Sequence, residues 1–483
     1  MKMITMQKSA SRINQKVLWP GLALLVLLLM TLSIIDSKWI YMGLAAAPLI
    51  FYICLKNPFI VPFGLYVFSL PFENLLVLSG HFEGATLTKM LGIASIFFLI
   101  LKGLFEKRLK VPDKAVLWWV LFALYCFLST SWAISPESPA ARIQTITGLV
   151  ALYLAVSLYR IEKKEYDALM AFILLSGIVC ALLTVYSYKM QLLQFGSVER
   201  ASLLTLKDEN GVWGANKQGF DMLLPFAVCL GALLKQKKTL MKFLLFAAFL
   251  LIFYSIILTG SRGDLFGCLA ILIILALTLK NKVKFTIITV LTVMALFSVT
   301  PHFFIKRINN SEASHAEGRT DIWLVGAKAA QKYWLFGAGL DSFPQAYTQF
   351  AFSANVYMYR GLYRAPHNIF VGNFVELGVI GTSFMIMGFL THFLALKQKR
   401  HKRRRNIDRT IFGAALVGVL ISSLALDCLW YKTFWLLLAM IIMQKNIPEG
   451  WREQPELKKQ EQIDRVAGRL IPAVNVIGTG GTK

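Results

Sequence analysis

The stretch FLLFAAFLLIFYSIILTGSRGDLFGCLAILIILALT, residues 243–278, decides the fold. Two apolar runs that read as membrane helices meet at a short polar hinge, TGSRGD, holding one arginine, Arg262, and one carboxylate, Asp264. An arginine at membrane depth costs about 2.5–3.5 kcal/mol on insertion scales, so a partner is expected. Asp264 can be that partner, or the side chain can reach up to the surface. In a third reading Arg262 binds an anionic ligand, and Gly260 and Gly263 let backbone approach it closely.

The same apolar pattern runs outward from this hinge in both directions. The chain has 483 residues, of which 57% are hydrophobic, and a mean hydropathy of +0.60. That excludes an ordinary soluble domain. Fourteen spans are expected, at 17–35, 39–55, 58–78, 87–105, 114–133, 140–158, 166–187, 219–234, 240–259, 264–279, 283–300, 368–396, 409–427 and 429–445. The first lies behind Lys8, Arg12 and Lys16; its apolar run is long and no small-residue cleavage site follows, so it reads as a retained span. The third is interrupted by Pro62, Pro71 and Glu73. The expected architecture is an all-α polytopic membrane domain over 1–445, followed by a polar, Gly-rich cytoplasmic tail over 446–483 that reads as disordered.

The net charge of +25 is mostly a topology signal. The clusters KGLFEKRLK, YRIEKKE, KQKK, KNKVK and KQKRHKRRR all fall on the side of the N-terminus, which the positive-inside rule assigns to the cytoplasm. Both termini are then cytoplasmic, and no basic face is left for nucleic acid. The six cysteines lie in or beside apolar runs without CxxC spacing. There is no HExxH and no DxD pair, so neither a metal site nor another cofactor is expected.

Two outside loops are long, about 187–218 and 301–367, the second inserted before the span at 368–396. In the second, Ile322, Val325, Ala329 and Tyr333 recur at helical spacing up to the stop at Gly337 and Gly339. This predicts a short amphipathic helix at the outer membrane–water boundary. The positive-inside rule makes the outside arginines informative: Arg142, Arg200, Arg262, Arg307, Arg319, Arg360 and Arg364. Arg319 opens the amphipathic helix, where its charge opposes the helix dipole. Arg364 and Arg360 precede the span at 368–396 and can hold a phosphate or face lipid headgroups. His367 follows Pro366, for which an extended approach to the helix is expected, and an imidazole there can accept a proton or simply cap or pack. Gly378 and Gly381 predict close approach of a neighbouring helix. Glu376, nine positions after His367, falls on the opposite helical face and reads as a structural anchor.

These residues together resemble the O-antigen ligase and polymerase superfamily of bacterial envelope glycosyltransferases. The ligase pattern of His-Asn, nine residues and Gly-x-x-Gly is met by His367, Asn368, Gly378 and Gly381. TGSRG, Thr259 to Gly263, resembles the signature arginine at a span boundary, and Arg319 the arginine that opens the outside-loop helix. Arg200 and Asn216 resemble residues of the upstream loop, as possible supporting groups. Phe266 stands where the ligase pattern has leucine, and Asp264 where small residues are usual.

The resemblance implies a GT-C-like fold in the bacterial inner membrane. It implies an inverting, metal-independent transferase working on the periplasmic face. The glycan would move from an undecaprenyl-diphosphate donor to an acceptor sugar, either lipid A-core or a polysaccharide repeat. Arg262, Arg319 and Arg364 would bind the diphosphate. His367 and Arg262 would be catalytic, and other polysaccharide-assembly proteins could be partners. Ligase and repeat-unit polymerase both remain open, for O-antigen or exopolysaccharide. A flippase or other transporter is the alternative from another class, but it should carry internal repeats and charges along a central path.

Overall fold

The computed structural model describes residues 39–77, 86–135, 139–190, 200–201, 214–279, 281–298, 315–354, 361–397 and 407–446. Among these residues the chain is helical, with no strand beyond two isolated bridges. The helices are α1 (Trp39–Lys56), α2 (Pro62–Ser69), α3 (Leu87–Phe105), α4 (Lys114–Ser129), α5 (Pro139–Leu158), α6 (Lys163–Lys189), α7 (Ala215–Lys235) and α8 (Thr239–Leu258). They continue with α9 (Arg262–Thr278), α10 (Lys282–Ser298), α11 (His315–Lys332), α12 (Phe343–Phe350), α13 (Ile369–Leu396), α14 (Ile407–Ser422) and α15 (Lys432–Asn446). The expected first span, Arg307, Arg360 and the tail beyond 446 lie outside the described residues.

Seven of these helices are long and apolar enough to cross a membrane: α3, α4 with the turn after it, and α5, α6, α7, α8 and α13. With 15 to 17 residues each, α9, α10, α14 and α15 are shorter. The interrupted segment at 58–78 yields only the eight-residue α2 and a 3-10 turn, Leu70–Phe72. Pro62 occupies the start of α2 and Pro71 the following turn, where a missing N–H does least harm.

Polar contacts sort the helix ends into two groups. At one end Lys235 pairs with Asp408, Lys445 with Asp113 at 2.5 Å, and Arg108 with Glu162. At the other Lys432 pairs with Glu73, Arg142 with Asp341 and Lys217 with Asp221. A helix of 20 residues is about 30 Å long, so none of these pairs could form between opposite ends. Each pair therefore joins residues at one and the same end of the bundle.

The helix crossing nearest the hinge is set by small residues. A Cβ on Gly267 would lie 2.7 Å from the Gly418 carbonyl oxygen, and one on Gly418 2.7 Å from that of Gly267. One turn along, Gly263 faces Ser422 and Ala425. So α9 and α14 cross backbone to backbone, as small residues four apart allow inside a membrane. The space expected at Gly263 for a ligand is occupied by the chain itself.

Helix α13 is broken at Gly378, which has φ +62° and ψ −165°. The break frees backbone groups that must be paired away from water. The segment after α11 supplies the partners: Ala338 N–H donates to the Val375 carbonyl at 2.8 Å, and Gly339 N–H to that of Glu376 at 2.8 Å. In return Val379 N–H donates to the Trp334 carbonyl at 2.8 Å. The neighbour at Gly378 is therefore loop backbone, not a helix, while Gly381 faces the Tyr125 ring. Glu376 is buried and accepts a hydrogen bond from Phe343 N–H at 3.2 Å, which ties the start of α12 to the break.

Candidate active site

Helix α11 is amphipathic as its spacing predicts. Ile322, Val325 and Ala329 are buried against Phe343, Ala346 and Tyr347 of α12 and Val375 of α13. The result is a small second core beside the main bundle. It is docked on α4 as well: Leu340 N–H donates to Ser129 Oγ at 3.2 Å, and Tyr125 Oη to the Phe336 carbonyl at 3.0 Å. Two helices and a broken third thus form one packed unit, and α11, which carries Arg319, is joined by Trp323 to Pro366, two residues after Arg364.

Arg262 is the first residue of α9 and is half-buried. The preceding hinge turns at Gly260, with φ +64°. Two residues later Asp264, fully buried, accepts a hydrogen bond from Ser422 Oγ at the end of α14. The neighbouring Ser423 carbonyl accepts from Ile369 N–H at 3.1 Å, two residues after His367. Adjacent serines at the C-terminal end of α14 thereby tie the helix that starts with Arg262 to the helix that follows His367.

His367 stands in the left-handed region with φ +45°. That conformation costs an ordinary residue roughly 1–2 kcal/mol. The extended residue is Asn368, φ −159°, because the cap of α13 must be extended for its side chain to reach back. Asn368 Oδ1 accepts from Phe370 N–H at 2.9 Å and Val371 N–H at 3.1 Å. Capping is therefore done by Asn368, and the imidazole of His367 is not needed for it. The turn at His367 leaves the Pro366 carbonyl to accept from Trp323 Nε1 at 3.2 Å, and Gly372 gives the Pro366 ring room. Trp323 lies one helical turn after Arg319, so α11 is fixed directly to the residue before His367.

Arg364 is close enough to Tyr347 to act on it electrostatically, and so is Asp321 of α11. Burial pushes the Tyr347 hydroxyl above its ordinary range, with Arg364 acting downward and Asp321 upward. Arg200 and Asn216, the two upstream residues, meet each other: an Arg200 Nη donates to Asn216 Oδ1, and Arg200 Nε to the Thr259 carbonyl at 2.8 Å. Both therefore brace the TGSRG hinge, and Ala201 N–H adds a bond to the Leu258 carbonyl at 3.0 Å.

Several further residues complete this end. Ser422 and Ser423 carry no pattern that marks them. Lys217 is paired with buried Asp221 at 2.7 Å, and Thr433 Oγ1 donates to the same carboxylate at 2.7 Å. Arg142, counted among the outside cations, has its charge met by Asp341 at 3.1 Å and lies 4.6 Å over the Trp430 ring. The Trp430 indole in turn donates to Asp427 at 2.9 Å. The available signal was a charged residue beside each of several span ends, which the pattern of any single span does not reveal.

Residues 247–386 match the family model O-antigen ligase (Wzy_C). The match runs from within α8 to the second half of α13 and takes in Arg262, Arg319, Arg364, His367, Asn368, Gly378 and Gly381. Over these residues the chain is similar to the O-antigen ligase superfamily, whose members are glycosyltransferase-like enzymes, and its seven long apolar helices suggest a multi-pass membrane protein. No curated protein matches the chain significantly.

Proposed function

We propose that the chain transfers a glycan from an undecaprenyl-diphosphate donor to an acceptor sugar hydroxyl at the bundle end that carries Arg262 and His367. This end would face the periplasm, with the many-spanned domain in the inner membrane and both termini in the cytoplasm. The observation that carries the reading is the link through Ser422 and Ser423, which joins the α9 end holding Arg262 to the α13 end that follows His367.

The chemistry asks little else of the protein. The acceptor oxygen attacks the anomeric carbon as the bond to the diphosphate oxygen breaks, with inversion. The hydroxyl proton passes to His367, and the leaving diphosphate takes the bonding electrons. Charge grows on the diphosphate, where Arg262, Arg319 and Arg364 would meet it with charge-assisted hydrogen bonds. Holding the two sugars in line accounts for much of the remaining acceleration. The prenyl chain would lie along the apolar helices, which places the reacting atoms at the membrane boundary.

A lipid A-core ligase and a repeat-unit polymerase would use this site alike. The His-Asn and Gly-x-x-Gly pattern leans towards ligase. Surface glycan from a deletion strain separates them: loss of all polymer on the core means ligase, and a core capped with a single repeat means polymerase. Unaltered surface glycan would remove the proposal.

Arg319→Ala should weaken use of the donor more than of the acceptor. In a reconstituted assay the donor KM is expected to rise about tenfold, the equivalent of about 1.4 kcal/mol, with the acceptor KM little changed. An unchanged donor dependence would count against a phosphate role. Transfer should continue in EDTA, since the arginines supply the positive charge; activity lost to chelator and restored by a divalent ion would overturn this.

A further inference from the structure

We propose that the outer face of α12, with Tyr363 and Tyr333 beside it, is a carbohydrate-binding platform for the glycan being transferred; this rests on the transferase reading above. Gln345, Thr348 and Gln349 recur at spacings of three and four and so share one face of α12, and Phe352 follows in the 3-10 turn just beyond it. That face is exposed at Thr348 and Gln349, and its rings are strongly so: Phe352 is 68% and Tyr363 64% accessible. Sugars present hydroxyls at their edges and C–H groups on their faces. Amides and aromatic rings side by side match both features.

The side chains are held in place by one another. Gln345 Nε2 donates to Tyr363 Oη at 3.2 Å and to Ser135 Oγ at 2.8 Å. Tyr333 Oη donates to Gln349 Oε1 at 2.9 Å, and the Tyr333 ring meets Phe350 edge-on at 6.2 Å. These phenol–amide pairs restrict surface rotamers before any ligand arrives, which lowers the ordering cost of binding. The backbone position fits as well, since Tyr363 directly precedes Arg364 and stands four residues before His367. A glycan whose diphosphate lay at the arginines would run outward over this face.

The experiment uses the full chain in nanodiscs. The probe is oligosaccharide released by mild acid from the producing strain's own surface polysaccharide, with affinity read by calorimetry. Phe352→Ala and Tyr363→Ala should each weaken binding about tenfold, and Tyr363→Phe, which keeps the ring, should weaken it less. Melting temperature checks that each variant is folded, and Gln349→Ala replaces any that is not. Wild-type protein that fails to bind the oligosaccharide, or variants that bind it as well as wild type, would overturn the platform. The second result would point instead to aromatic residues resting on lipid headgroups. Wild-type protein that binds oligosaccharide yet transfers nothing would leave the platform standing and remove the transferase reading.

Discussion

Alanine at Arg262 should lower glycan transfer by about two to three orders of magnitude, the range seen when one preorganised group facing developing charge is removed. The guanidinium starts α9, next to a hinge held from three directions. Arg200 bonds the Thr259 carbonyl, Ala201 bonds Leu258, and Ser422 bonds Asp264. None of these three contacts uses the Arg262 side chain, so all three remain possible when that side chain is shortened. His367→Ala should cost a similar factor, as losses of a positioned acid–base group do. Its neighbour Asn368 caps α13 through Phe370 and Val371, and that cap does not use the imidazole. The measurement is surface polysaccharide in a complemented deletion strain, beside the amount of protein in the membrane. Normal polysaccharide in both variants, with normal protein, removes the site assignment. Arg262→Lys keeps the charge but not the fork, and should recover only part of the activity.

Much of the helical layout was legible because hydropathy reports the medium directly. The predicted limits at 87–105 coincide with α3, and those at 240–259 lie within a residue of α8. What runs of apolar residues do not encode is how a helix is interrupted by backbone from elsewhere. The span at 368–396 reads as continuous, yet Gly378 breaks it, because the partners of its free carbonyls come from Ala338 and Gly339, far off in sequence. The site shows the same division. Arg262, Arg319 and His367 stood out because cations and imidazole are costly or unusual where they occur. Ser422 and Ser423 did not, since serine is common at helix ends and its meaning here depends on Asp264 and Ile369 lying across from it. The ligand space expected at Gly260 and Gly263 serves the fold instead. Gly263 gives room to α14, while Gly260 turns the chain.

The break at Gly378 leads to the second large effect. A Cβ there would lie 2.5 Å from the Leu335 carbonyl carbon and 2.7 Å from Gly337 N, both backbone atoms that cannot swing aside. Its φ of +62° with ψ of −165° is a conformation essentially confined to glycine and adds roughly 1–3 kcal/mol for any residue with a side chain. Overpacking adds about 1–3 kcal/mol more. Gly378→Ala should therefore push the Trp334–Gly339 segment off α13 and lower the melting temperature of the purified protein clearly. The consequence for function follows from what that segment carries. It is the anchor of the α11–α12 unit, and Trp323 on α11 holds the Pro366 carbonyl beside His367. Detaching it should displace Arg319 from His367 and abolish transfer even in the fraction that stays folded. Gly148→Ala is the matching control: a Cβ there meets nothing within 4 Å, so in mid-helix the change should be neutral or slightly stabilising. If Gly378→Ala melts and transfers like wild type, the pairing across the break does not hold the site, and Arg319 must be placed by other contacts.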